Sequence, residues 1–432
     1  MRLAALSLLL LAGLAPAQQL TPHTLSLPVS QARSARQITL SLPQGLTIDL
    51  AATGLHCPRF FAVSPDHRIF VADLNNRSDN RKGALYILDG WNPKTHTFAT
   101  VTPYLENLHN PNNLAFYTDP SGQMWLYTAL TDKLIRFRYR SGDTRPTSPP
   151  EILANFPAYG LSYKYGGWHL TRTVAFAQLH GATRLYVTVG SSCNACQEKE
   201  PVRASLTAMD PDGKNQHIVA AGLRNAVDLH YISQVDSGAL FATNMGADHL
   251  GDHSPEDTFL ELDSNAQAGL AKDPGKPATY GWPTCYFLNG TPHPDPAVSN
   301  PKPGQNTLNV QPGPPPQQID CTKVSPAYTT FLAHSSPLGL EYFANDNKLL
   351  ADSFLVALHG PSRTRIGTGY RVVRFSPGAR HPQIFILGFL IQENGRAVVK
   401  GRPCGLLRTA PDSFLLTDDL NGVLYFVHPS GT

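Results

Sequence analysis

His169 and Arg172 stand three residues apart in "GGWHLTRTVAF" (166–176), at the mouth of an alternating apolar run. An imidazole beside a guanidinium at a strand entrance can act as a general base next to an anion-binding cation. "GLRNAV" puts Arg224 and Asn225 at the same place before another apolar run. Arg59, Asn112, Asn113, Ser335, Ser336 and Arg402 precede others. Arginine binds carboxylates with paired hydrogen bonds and stacks on flat rings, so a funnel lined this way suits an anionic, planar, oxygen-rich ligand. The loop "TNMGADHLGDHSPED" (243–257) adds Asp248, Asp252, Glu256 and Asp257, with Gly246 and Gly251, an oxygen-rich loop able to hold a hard cation such as calcium. It lacks EF-hand spacing, and Gly251 between His249 and His253 argues against the helix that a zinc pair needs. "LHGPSRTRIGTGYRVVRF" (358–375) carries His359, Arg363 and Arg365 on a glycine-rich loop, either a lid or a solvated turn.

These side chains lie far apart in sequence, so a repeating scaffold must gather them. One short pattern recurs: an apolar-x-apolar strand, a turn, then a second strand rich in β-branched and aromatic residues. The copies are "PRFFAVSPDHRIFVAD", "PNNLAFYTDPSGQMWLYTA", "TRTVAFAQLHGATRLYVTV", "RNAVDLHYISQVDSGALFAT", "PLGLEYFANDNKLLADSFLVA" and "PCGLLRTAPDSFLLTD". Taking Phe61, Leu114, Val174, Val227, Leu340 and Leu406 as equivalent, the steps run from about 53 to about 66 residues, except for one of about 113. The long step contains a proline-rich excursion at about 271–326. Third strands follow in every copy, and fourth strands such as "PEILANF" and "QHIVAAGL" in several. Four strands per unit, six times over, predict an all-β, six-bladed β-propeller. The last unit ends at "GVLYFVHPSGT" without a fourth strand, while "RQITLSLPQGLTIDLAATGL" (36–55) belongs to no unit. The N-terminal segment is therefore expected to complete the last blade and close the ring.

Composition agrees with many short strands joined by turns: 37 prolines and 34 glycines, with only 16% charged residues. A net charge of +3 without basic clusters gives no footprint for nucleic acid or an anionic membrane. Residues 1–17, with Arg2, the apolar "LAALSLLLLAGL" and the small-x-small "APA", read as a secretory signal peptide. No other apolar run is long enough for a membrane span. The expected product is an exported, periplasmic or extracellular chain, with residues 18–432 forming a single propeller domain. Export favours disulfides among the six cysteines. Sequence alone leaves fifteen pairings open. Position along the chain favours Cys193–Cys196, Cys285–Cys321 and a ring-closing Cys57–Cys404.

"H-x-x-R" before "TVAF", "VGSSCNAC", "GLRNAV", "MGADHLGD", "YGWPTCY", "HSSPLGL" and "HG…GTGYRVVR" occur in this order over nearly the whole chain. Together they resemble the soluble PQQ-dependent sugar dehydrogenase family, particularly its aldose and sorbosone dehydrogenase-like branch. The resemblance implies oxidation of a sugar or related alcohol with PQQ and calcium, electrons passing to an external acceptor such as a quinone, cytochrome or dye. It further implies His169 as catalytic base, Arg224, Asn225, His359 and Arg402 as cofactor-binding residues, and the main-chain oxygens of Gly246 and Ala247 as calcium ligands. Two other readings compete. A calcium-dependent lactonase-type hydrolase would need acidic and amide side chains around an axial metal, whereas this funnel is rich in arginine. A non-catalytic ligand-binding propeller would keep the scaffold without the chemistry.

Overall fold

A computed structural model describes residues 19–28, 37–158, 169–264, 277–299 and 316–431. The leader at 1–17, Gly166 to Trp168, and parts of the proline-rich excursion lie outside the described residues.

Alternation of apolar and polar side chains gives each blade two packed faces. Blade one comprises Pro58–Val63, Ile69–Asp73, Gly83–Asn92 and Thr97–Leu108. Blade two runs Leu114–Thr118, Met124–Ala129, Lys133–Tyr139 and Glu151–Asn155. Blade three holds Arg172–Leu179, Ala182–Val189, Ser205–Met209 and His217–Ala221. Blade four holds Ala226–Ile232, Ala239–Asn244, Asp257–Ser264 and Thr329–Phe331. Blade five has Pro337–Phe343, Ser353–Leu358, Arg371–Phe375 and Gln383–Ile386. Blade six has Pro403–Ala410, Ser413–Asp418 and Val423–Pro429, and Leu46–Ala52 supplies its fourth strand. First strands of successive blades touch in order, and the sixth touches the first. Apolar clusters fill the gaps between blades, for example Phe241, Phe259, Leu340, Phe354 and Phe375 between blades four and five. The fold is thus the expected six-bladed propeller.

Closure differs in one detail from the expectation. Only Leu46–Ala52 joins blade six, in a register that sets Leu46 against Pro429 and Ala52 against Leu424. Gln37–Pro43 instead pairs with Leu20–Ser26 in a separate hairpin. Ser41 and Leu387 exchange main-chain hydrogen bonds of 2.9 and 3.0 Å, which hold that hairpin against blade five. The break falls at "PQG", where Gly45 takes a φ of +93°, a conformation costly for any side chain.

The proline-rich excursion gives blade three a fifth, parallel strand, Ala278–Thr279, and a hairpin of Cys285–Leu288 with Thr291–Pro294. Cys285–Cys321 clips it and Cys193–Cys196 closes a second, tight loop, both as expected. The Cys57–Cys404 bridge is not formed: both are free, buried thiols. Closure here is non-covalent. Gly405 brings the inner strand of blade six so near blade one that a Cβ would lie 2.2 Å from the Arg59 carbonyl. The Cys57 N–H is fixed on Asp73 Oδ1 at 3.0 Å. Burial pushes Cys404 up to about 12 and raises Cys57 well above the ordinary thiol range. We expect a thiol reagent to find neither sulfur in the native protein and both after unfolding without reductant. Two labelled thiols in the native state, or none after unfolding, would contradict the free, shielded pair.

Candidate functional site

Many of the polar residues that precede inner strands stitch the ring. Arg59 Nε donates to Asn112 Oδ1 at 3.1 Å, and Asn112 Nδ2 to Thr173 Oγ1 at 2.7 Å; the Thr173 hydroxyl in turn donates to the Val227 carbonyl. Thr243 Oγ1 donates to Leu338 O at 2.6 Å, and Thr417 Oγ1 to Arg59 O at 2.9 Å. Asn113 both accepts from Val174 N and donates to Val174 O. A bias repeated in six copies is thus largely a belt around the axis, because buried main-chain groups near it need partners. Arg172 also turns inward. It donates to the carbonyls of His169 (2.6 Å), Thr171 (2.9 Å) and Pro157 (3.2 Å), its Nε lacks a described partner, and burial pulls it down to about 9. It holds the backbone that presents His169.

His169 Nδ1 lies 2.9 Å from Ser191 O and 3.0 Å from Ser191 Oγ. That hydroxyl donates its one hydrogen to Cys193 O at 2.7 Å, so toward the ring it can only accept. Both neighbours therefore require a proton on Nδ1, which leaves the Nε2 lone pair available. Burial first, and Arg224 second, pull His169 down to about 3, keeping it neutral. Gly190 is required beneath it, since a Cβ there would lie 2.5 Å from both His169 Cβ and Asn225 Oδ1.

Arg224 is buried and pairs through Nη2 with Asp248 Oδ2 at 2.8 Å. Asn194, inside the Cys193–Cys196 loop, takes Arg224 Nε on its carbonyl (3.1 Å) and Nη2 on its side chain (3.0 Å). It also accepts from Asp248 N and from Trp282 Nε1. His334 Nδ1 meets the other Asp248 oxygen at 3.3 Å. Burial alone would raise Asp248, but Arg224 and His334 hold it well below the usual carboxylate range. Asn225 sits in the next turn, its N–H on Asn244 Oδ1 and its carbonyl on Met245 N. Sequence reasoning missed Ser191, Asn194, Trp282 and His334; the signal lay in "SSCNAC", "YGWPTCY" and "HSSPLGL", quoted as landmarks without roles.

The four carboxylates of 243–257 do not converge. Asp248 is spent on Arg224, and Asp252 on Arg365 at 2.5 and 3.2 Å; Glu256 accepts from Gly290 N, and Asp257 from Gly246 N and Ser336 N. Each is claimed by a different stretch of chain, and Asp257 by its own loop as well. His249 pairs with Asp295 at 2.7 Å rather than with His253, so the zinc alternative falls. What remains for a hard cation is main chain: among the described residues neither the Gly246 nor the Ala247 carbonyl accepts a hydrogen bond. Gly246 also lies so close to its neighbours that a Cβ would stand 2.9 Å from Glu256 O. A narrow cleft lined by Arg224, Gly246, Ala247, Trp282 and Asp295 adjoins these groups. An uncommitted carbonyl pair beside a buried guanidinium and a neutral imidazole fits calcium and an anionic quinone.

His359 and Arg402 form a second group. His359 Nε2 donates to Asp419 (2.9 Å to both oxygens), while its Nδ1 accepts from Arg402 Nη1 at 3.1 Å. Arg402 also donates to Gly360 O, Pro361 O and Tyr370 Oη, and lies over the Tyr370 ring at 4.9 Å. Burial brings His359 down to about 4 despite Asp419. The groups connect through main chain: His359 N donates to Ser336 O, Gly360 N to Ser335 O, and Ser336 N to Asp257. The Arg365–Asp252 pair anchors the 358–375 loop to the 243–257 loop. A cavity of about 1690 Å³ opens elsewhere, against Leu179, Arg184, Tyr328 and Arg371. Two of its lining groups pair locally, His180 with Asp263 and Arg184 with Asp210. None of His169, Arg224, Gly246 and Ala247 lines it.

A family model described as TrAA12-like matches residues 40–383. No curated protein sequence matches the chain significantly. Among solved structures, the chain is similar to the holo form of the pyranose dehydrogenase PQQ domain from Coprinopsis cinerea, at 17% identity and a TM-score of 0.65, covering 92% of this chain and 98% of that one. It is similar to the calcium structure of a Trichoderma reesei carbohydrate-active enzyme of family AA12, at 15% identity and 0.65, with 90% and 96% covered. The PQQ-bound aldose sugar dehydrogenase from Streptomyces coelicolor follows at 16% identity and 0.56, with 90% and 99% covered. At these identities the likeness is one of fold.

Proposed function

Because the chain belongs to the TrAA12-like family, we propose that it is a quinoprotein oxidoreductase that oxidises a sugar or related alcohol with PQQ and calcium. The observation that carries this reading is the fixed tautomer of His169: Nδ1–H is tied to Ser191, and Nε2 is left as the acceptor beside Arg224. PQQ supplies the two-electron acceptor when bound, and calcium a Lewis acid beside it. The chain's own residues do the rest. His169 Nε2 takes the substrate hydroxyl proton. Arg224, with one of its hydrogen-bonding edges already neutralised by Asp248, holds carboxylates, and Asn225 supports the turn beneath it. The carbonyls of Gly246 and Ala247 hold calcium. His359 and Arg402 contribute the far wall toward the cofactor by fixing the Gly360–Pro361 turn. A lactonase-type reading loses support because the loop carboxylates are dispersed. Residues 18–432 are proposed to work as one exported domain, passing electrons to an external acceptor. The leader-like start and the two disulfides support export, and among the described residues no helix is long and apolar enough to cross a membrane.

Purified protein reconstituted with PQQ and calcium should reduce a dye acceptor when given aldoses, and a chelator should abolish this. Arg224→Ala should weaken PQQ binding at least tenfold by titration, since it removes a charged hydrogen-bond partner worth about 1.5–3 kcal/mol. Wild-type protein that never binds PQQ would leave a non-catalytic propeller as the better reading.

A further inference from the structure

Away from the His169 group, two imidazoles and a carboxylate meet at the seam where the ring closes. Asp49 lies on the closing strand Leu46–Ala52, His428 on the last strand Val423–Pro429, and His96 in the turn between Gly83–Asn92 and Thr97–Leu108 of blade one. Asp49 Oδ2 stands 2.7 Å from His96 Nδ1 and 2.9 Å from His428 Nε2. One ligand atom from each of the three lies within 4.8 Å of the others. We propose that this group is a binding site for a borderline divalent cation of the zinc class, which clamps blade six to blade one.

Three observations carry it. The first is the His428 ring: its Nδ1 faces the Pro429 carbonyl at 2.9 Å and its Nε2 faces Asp49, so both nitrogens address acceptors. An imidazole that donates one N–H to a main-chain carbonyl presents its other nitrogen for a metal, the usual outer arrangement of a histidine ligand. The second is composition. Two imidazoles and one carboxylate form the nitrogen and oxygen set that zinc-class ions take with a fourth position left to water, and hard calcium does not favour nitrogen. The third is access with confinement. His428 and His96 side chains are 5% and 17% exposed and Asp49 40%, so solvent reaches one side only. Phe426 stacks on His428 at 4.9 Å, and Trp91 packs on Phe426 at the same distance, walling the other side. His96 also holds a left-handed φ of +54° in that turn. With bonds of about 2.0–2.1 Å, tetrahedral ligand atoms sit roughly 3.3 Å apart, so the Asp49 oxygen needs to draw back from each ring nitrogen by only about half an ångström.

The test uses the full chain loaded with PQQ and excess calcium, which keeps the proposed cofactor site out of play. Zinc is added, unbound metal is removed, and bound zinc is counted. Cobalt then replaces zinc to read the tetrahedral absorption bands. The expected result is one zinc per chain, a thermal midpoint that climbs with zinc concentration, and, in the exposed-loop variant His96→Ala, a loss of affinity exceeding the roughly 10- to 100-fold typical of outer-shell partners. Asp49→Asn should behave alike and keep the ring nitrogens. Absence of zinc binding overturns the proposal and leaves a charged clasp. Zinc bound equally by wild type and His96→Ala overturns it too, as adventitious binding elsewhere.

Discussion

Replacing His169 with alanine is expected to lower turnover by about 100- to 10,000-fold, the range of a lost general base, with PQQ affinity nearly unchanged. The separation follows from geometry. His169 touches Ser191 through Nδ1, whereas the charge proposed to hold an anionic ligand sits on Arg224, itself fixed by Asn194 and Asp248. A second signature distinguishes the base from a merely structural imidazole. With His169 near 3 against an ordinary 6.5, its proton-accepting form persists well below neutrality, so the acid limb assigned to it lies nearer pH 3 than pH 6.5. The same depression has a stability sign. Above pH 6.5 the ring is neutral folded and unfolded; as pH falls from 6.5 toward 3 the unfolded chain takes the proton more readily, and folded stability is lost. His169→Ala should therefore be less acid-sensitive across that window, as measured by denaturant midpoints. Full activity in His169→Ala, with PQQ bound, would sink the assignment.

The propeller was legible because its evidence is periodic: six apolar-x-apolar strands at near-constant steps leave few other architectures. The small disulfides were legible for a related reason, since Cys193 and Cys196 are neighbours in the chain. Three-dimensional partnering was much less so. The same "polar residue before a strand" describes Asn112, which bonds across blades, and Arg224, which reaches the loop carboxylate. One pattern serves two ends because burial near an axis demands hydrogen bonds whether or not a ligand is present. The four loop carboxylates looked like one cage, yet their partners, Arg224, Arg365, Gly290 and Ser336, come from four other stretches of chain. Cys57 and Cys404 were placed correctly beside the seam, but proximity of strands does not set the relative direction of two thiols. Asp419, central to the second group, had no signal beyond a "TDD" at a strand end.

Asp419→Ala is expected to cost about 3–5 kcal/mol of folding stability, the range for removing one partner of a buried pair. The Asp419 side chain is fully buried and that of Arg59 nearly so, and they pair at 3.0 Å across the junction of blades six and one. Arg59 passes the contact on to Asn112 in blade two, and Asp419 accepts from His359 of the blade-five loop. Removing the carboxylate leaves a nearly buried guanidinium without its counter-charge, and it also frees one nitrogen of His359. Burial would raise Asp419, but His359 and Arg59 outweigh it and hold the acid below its usual range. The stabilisation is accordingly present above the ordinary carboxylate value and is lost only as pH falls through the depressed one. Urea unfolding at neutral pH should show the lower midpoint with an unchanged slope. The double variant Arg59→Met with Asp419→Leu should recover much of the loss, since an apolar pair removes both desolvated charges. A cost below about 1 kcal/mol for Asp419→Ala, in the range of exposed ion pairs, would mean that the buried pair adds little to a seam already held by Thr417 on the Arg59 carbonyl and by the packed inner strands.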